Sequence, residues 1–256
     1  MEMGPPTESK RPPRRARSIA RRAALVVATV VAGWVTLIVH PQPLFAYSAQ
    51  RANVVLHARA PLPREAGPML DEVVRRLSRS PLYDPARIHH VFLCDTPSLF
   101  ALFTLWHRKA GGVTQPQFVG NVFIRPSNVV RGRVIGPSGD EKPGERTLTY
   151  YVAHEVTHAM TGDRLGRWRY AHLAAFQREG YADYVAFDHR VDLERGRAAL
   201  LRDDAEMSPQ RSGLYRRYEL MVAYLLERRG MTVDELLGQA MDRRQVEAEL
   251  VSAPTL

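Results

Sequence analysis

His154-Glu155-Val156-Thr157-His158 is an H-E-x-x-H run. On an α-helix, residues four apart lie one turn apart on the same face. His154 and His158 can therefore aim two imidazoles at one metal ion. Glu155 stands beside them, placed to take a proton from a metal-bound water. The same five residues occur by chance, and two histidines on one helix face are often ordinary surface residues. The surroundings favour the metal reading. Leu148, Tyr151, Val152 and Val156 recur at helical spacing, predicting a helix from about residue 146 to about 160 with Gly162 as its stop.

A catalytic zinc takes three protein ligands and keeps a fourth position for water. A third histidine six residues beyond His158, after a glycine three residues beyond it, would be one solution. Arg164 and Thr161 occupy those places, which excludes it. A glutamate on a following helix is the other. Glu179-Gly180-Tyr181-Ala182-Asp183-Tyr184 offers one, with twenty residues between His158 and Glu179. Glu179 also reads as an acid at a helix N-terminus, and Asp183 as a rival third ligand, since either carboxylate can bind zinc. His172 lies among Trp168, Tyr170, Leu173 and Phe176, which reads as a packed amphipathic segment, so it is taken as structural.

HEVTH followed by EGYADY resembles the gluzincin metallopeptidases, in particular small peptidase-like domains with an E-G-x-A-x-Y signature. The resemblance covers about residues 145–250, and its motifs are specific as a pair. It implies a zincin-like domain with His154, His158 and Glu179 as zinc ligands and Glu155 as general base. Asp183 matches the carboxylate that orients a ligand histidine. Ligating imidazoles usually donate their other N–H to such a group. A tyrosine or histidine from a downstream helix commonly helps to stabilise the oxyanion in this family. Tyr215 is the first candidate and Tyr218 the second, although tyrosines at the rim of an amphipathic helix over 213–229 are the stronger reading of both.

The elements that must position these residues are legible in outline. Residues 53–57, 88–94 and 118–124 read as strands, 66–80 and 97–109 as helices, and 131–142 as a loop. Everything after Arg146 reads as helix or loop. The chain is expected to be α+β, with a mixed N-terminal half around a small sheet and a helical half carrying the H-E-x-x-H helix. Residues 118–124 are a candidate edge strand for pairing with an extended peptide, or equally an interior strand. Cys94, the only cysteine, excludes an internal disulfide and reads as a small core residue.

The N-terminus carries a different signal. Ala23–Val39 is seventeen residues without a charge, close to the lower limit of a membrane span. Residues 1–22 hold seven basic and two acidic residues, a balance of +5 out of a chain total of +9. The positive-inside rule puts that end in the cytoplasm and all that follows on the other side. The basic excess thus has a membrane explanation, and a nucleic-acid partner is not expected. The expected organisation is a disordered tail over 1–18, an anchor over 19–40, a linker over 41–50 and a metallopeptidase domain over 51–256. A cleaved signal peptide, giving a secreted domain, is the rival, but Leu44 fits an A-x-A site ending at Ala46 poorly.

The expected function is zinc-dependent hydrolysis of a peptide or protein substrate by an anchored, extracytoplasmic enzyme. The competing class is a non-catalytic, zinc-stabilised interaction domain. That class gives Glu155 no task.

Overall fold

The computed structural model describes residues 14–105, 107–114 and 119–253 and divides into two units at Pro41/Gln42. Unit 1 is built on helix α1 (Arg14–Val39). Within it Arg21–Val39 contains an 18-residue window with a mean hydropathy of 2.1 and is the one helix among the described residues long and apolar enough to cross a membrane. A signal sequence meets the same criteria. Residues 14–18, expected in the disordered tail, continue this helix; residues 1–13 of that tail lie outside the described residues.

Unit 2 is mixed α/β, with its strands first and its helices mostly after them. Strands β1 (Tyr47–Arg51), β2 (Val54–Ala58), β3 (His89–Leu93), β4 (Gly112–Thr114) and β5 (Val122–Ile124) form one sheet in the order β1-β2-β3-β5-β4. The central pairs are parallel and both edge pairs antiparallel. β1 starts inside the expected linker, with residues 47–50 of the strand falling in it. The short ribbon β6 (Ser127–Asn128) with β7 (Arg133–Val134) folds part of the expected 131–142 loop.

Alternation along each strand sends its side chains to opposite faces. Val54, Leu56, Val91, Val122 and Ile124 join the main core with α2 (Ala66–Leu77) and α4 (Leu148–Leu165). Phe92 and Phe123 face the other way, where Phe45 packs tilted on Phe92 at 5.0 Å and Phe103 stacks on Phe123 at 4.3 Å. Phe103 comes from α3 (Pro97–Thr104), which ends early because Leu105 adopts φ 45°. Buried Cys94 sits at the end of β3, as a core residue should.

α4 is the central helix. Thr147 caps it by accepting from Tyr150 N–H at 3.2 Å. It runs past Gly162, the expected stop, and ends at Gly166, whose φ of 77° breaks the helical turn. Every residue from Leu148 to Gly162 except Thr149 is buried. α5 (Arg167–His172), α6 (Ala175–Ala186), α7 (Leu193–Leu201), α8 (Pro209–Ser212) and α9 (Arg216–Ala223) follow. A π-helical turn over Tyr224–Arg228 extends α9 before α10 (Val233–Gly238) and α11 (Arg243–Ser252). α6 lies across α4 and is backed by α9. That approach is very close: a Cβ at Gly180 would lie 2.4 Å from the Tyr218 carbonyl oxygen.

Two local expectations change. β5 covers only Val122–Ile124 and is interior, flanked by β3 and β4; Phe118, at the start of the expected strand, lies outside the described residues. The edge next to α4 is β4 instead. Trp168 is 77% exposed, its ring resting on His172 at 4.2 Å, so that part of the segment is not packed inward.

Candidate metal centre

α4 and α6 bring His154, His158 and Glu179 together, with one ligand atom from each lying within 4.8 Å of the others. This buried group can hold a metal ion. The two histidines come from successive turns of α4, and Glu179 lies mid-helix on α6 rather than at its N-terminus.

The donor triangle has the right size. Two atoms bound tetrahedrally at about 2.0–2.1 Å from one ion must be about 3.3 Å apart. His154 Nε2 and His158 Nε2 are 3.1 Å apart, and Glu179 Oε2 lies 3.6 and 3.5 Å from them. The imidazoles meet edge to face, with their planes at 89°. Glu179 Oε1 is engaged by Arg178 Nε–H at 3.0 Å, which leaves Oε2 for the centre.

Asp183, one turn beyond Glu179, does a different job. Its Oδ1 lies 2.8 Å from His154 Nδ1 and accepts the Tyr150 hydroxyl at 2.5 Å. A proton on Nδ1 leaves the Nε2 lone pair directed at the triangle. Asp183 thus stands on the far side of the ring from the donor triangle and does not belong to it. Asp183 is 1% exposed, so the pairing is buried. His158 Nδ1 is buried without a hydrogen-bond partner among the described residues. Its ring is held by packing, with Tyr170 edge-on at 6.2 Å.

The charges around the triangle call for a cation. Burial alone would lower the His154 pKa, but hydrogen bonds to Asp183 and Glu179 outweigh it and raise the pKa to about 10. Burial likewise opposes ionisation of Glu179, yet the adjacent His158 and His154 hold its carboxyl far below the usual range. Two carboxylates facing two imidazoles in a buried site retain a proton or a metal ion.

Glu155 lies beside the triangle against β4. Thr114 Oγ1 is 2.7 Å from Glu155 Oε2 and 2.7 Å from its backbone carbonyl oxygen, so its single proton serves one of them at a time. Gly112 makes room: a Cβ there would come within 2.7 Å of Glu155 Cγ.

Tyr215 precedes α9, and its ring lies nearly parallel to His154 at 6.4 Å. Burial, reinforced by the negative charges of Glu179, Asp183 and Glu155, raises its phenol to about 12, so it remains a donor at neutral pH. Tyr218 stacks behind it at 5.9 Å. His172 bonds to the Trp168 carbonyl oxygen and stays outside the group.

Sequence reasoning missed Thr114, Gly112 and Tyr150. Tyr150 carried a signal, because it lies four residues before His154 on the same helix face. Thr114 and Gly112 carried none.

No known family model matches the chain, and no curated protein aligns with it significantly. The resemblance to gluzincins therefore stands on the two motifs and on the geometry that joins them.

Proposed function

We propose that this chain is a zinc-dependent peptidase of the gluzincin type, with a zincin-like domain carried beyond a membrane anchor. The observation that carries the reading is the donor triangle of His154, His158 and Glu179, with Asp183 on the back of His154 and Glu155 alongside. Two histidines and one carboxylate are the ligand set of a zinc with an open position. Bound there, zinc would polarise a carbonyl and lower the pKa of a water to about 7.

The chain's own residues have separable tasks in this scheme. Asp183 fixes the tautomer and orientation of His154. Glu155 accepts a proton at Oε1 or Oε2 and returns it to the leaving amine. Thr114 holds Glu155 Oε2 toward β4. Tyr215 places a neutral hydroxyl donor beside the centre for the developing oxyanion. β4 is the sheet edge nearest Glu155, and an extended peptide would add to it as a further strand. A zinc-stabilised interaction domain would need none of Glu155, Thr114 and the adjacent strand edge.

The test is Glu155→Gln in the full chain. It is expected to bind zinc as the wild type does and to lose nearly all hydrolysis of an unstructured protein. Retention of most of the wild-type rate would refute the mechanism. For topology, the arginine-rich end of α1 belongs in the cytoplasm. A reporter fused after Leu256 should report the extracytoplasmic side, and a cytoplasmic signal would reject that orientation.

A further inference from the structure

Beside the metal centre are three cations, Arg125, Lys142 and Arg146, none of which forms an ion pair among the described residues, although the charge of Asp183 supports Arg146 at longer range. Arg125 follows β5 and is 2% exposed. Its Nη1 donates to the carbonyl oxygens of Arg108 and Ala110, both at 3.3 Å, its guanidinium lies over the Phe100 ring, and its buried Nε has no partner among the described residues. Among the described residues no carboxylate pairs with it. Arg146 donates to the Gly213 carbonyl oxygen at 2.5 Å, lies over the Tyr150 ring and interacts with the Tyr151 hydroxyl, while its buried Nε has no partner among the described residues. The third cation is half-buried Lys142, with Nζ 3.4 Å from the Tyr151 hydroxyl. Burial lowers its pKa to about 8, helped by the positive charges of Arg125 and Arg146.

The nearby acids are engaged elsewhere. Glu141 pairs with Arg131, Glu145 with Arg216, and Asp183 with His154 and Tyr150. Other arginines of this fold do find carboxylates, as Arg75 and Arg79 do on Asp188 and Arg217 does on Glu247. Burial lowers the pKa of Arg125 as it does that of Lys142, and a buried charge of this kind is retained where a ligand supplies the missing counter-charge.

The position of the cluster suggests which ligand. Tyr151 lies one turn before Glu155 on α4, and a Cβ at Gly111 would sit 2.2 Å from its ring. The Gly111 end of β4 is thus at the cations, and the Thr114 end is at Glu155. A peptide laid antiparallel on the open edge of β4 runs from Thr114 toward Gly112. Its C-terminal side then arrives at Arg125, Lys142 and Arg146.

We propose that Arg125, Lys142 and Arg146, with the Tyr151 hydroxyl, form a subsite for a carboxylate on the C-terminal side of the bound peptide. The substrate in this statement rests on the peptidase reading, but the cation cluster does not depend on the metal. The carboxylate has two possible sources, the peptide's own C-terminus or an acidic side chain.

The chain has three lysines, Lys10, Lys109 and Lys142, which makes a direct test simple. The full chain in detergent is acetylated with trace acetic anhydride at pH 8, and each lysine is read by mass spectrometry. Three probes are added in turn: N-acetyl-tetra-alanine as the free acid, its C-terminal amide, and that amide with glutamate in the last position. A carboxylate probe is expected to slow acetylation of Lys142 at least fivefold while exposed Lys109 is unchanged. The plain amide should have no effect. Protection by the free acid identifies the terminal carboxylate, and protection by the glutamate amide identifies an acidic side chain. Protection should persist with a chelator present and disappear in Arg125→Gln. Equal labelling of wild-type Lys142 under all three probes would overturn the subsite, with no variant needed. Failure of the peptidase reading appears elsewhere, as absent zinc or absent hydrolysis, and leaves the Lys142 result standing.

Discussion

Asp183→Asn separates the two tasks assigned to the acids of α6. Asp183 Oδ1 takes the His154 Nδ1–H at 2.8 Å and the Tyr150 hydroxyl at 2.5 Å. Asparagine keeps the shape and one acceptor oxygen but removes the charge. If its amide nitrogen turns toward the ring, the His154 proton moves to Nε2 and the lone pair is lost to the metal. Removing a carboxylate behind a ligating histidine costs about 10–100-fold in metal affinity, or about 1.4–2.7 kcal/mol. Glu179→Ala deletes a donor of the triangle itself and should cost more. Competition titration of zinc against a chromogenic chelator, at one pH and with folding checked by circular dichroism, ranks the two variants. The reasoning is refuted if Asp183→Asn strips the metal while Glu179→Ala leaves it bound. That result would make Asp183 the ligand, despite its place on the far side of the imidazole.

Thr114 and Asp188 each hold a hydrogen bond whose loss can be measured. Thr114→Val removes the hydroxyl 2.7 Å from Glu155 Oε2 and should lower kcat roughly tenfold with zinc content unchanged, given about 1.5–3 kcal/mol for a hydrogen bond to a charged group; an unaltered kcat would show that Glu155 needs no such support. Asp188 is buried under Arg75 and Arg79, and although burial opposes it, their hydrogen bonds depress its pKa from 3.8 to about 2. Its contribution is therefore present above pH 4 and lost as pH falls from about 4 to about 2. The shift corresponds to about 2 kcal/mol, and to about 1 once screening of the half-exposed arginines is allowed for. Asp188→Asn, which tolerates the φ of 65° at this position, should be less stable by that amount at pH 7 and equal to wild type near pH 2 in urea melts. A gap that stays constant over that range would mean the charge is not responsible.

The parts of this site legible in the sequence are those encoded within one helix. His154 and His158 fall together because four residues make one turn, and Asp183 follows Glu179 for the same reason. The meeting of the two motifs was inferable only from ligand chemistry, since twenty residues separate them. Thr114 was invisible: β4 has three residues, too few for a periodic pattern, and its partner Glu155 is forty-one positions away. The end of α4 was misplaced because Gly162 is buried inside the helix while Gly166 takes the positive φ. A helix buried on nearly all sides also hides its own length, since the polar face that would mark amphipathic turns is missing. The interior position of β5 depends on pairing between β3 and β4, which no local signal encodes.

Zinc content of the purified full chain, measured by mass spectrometry of the element after exhaustive dialysis, tests the central claim most directly. The account predicts one zinc per chain in the wild type and in Glu155→Gln, with much less in Glu179→Ala. A wild-type chain without bound metal, or a Glu179→Ala chain at full occupancy, would contradict it.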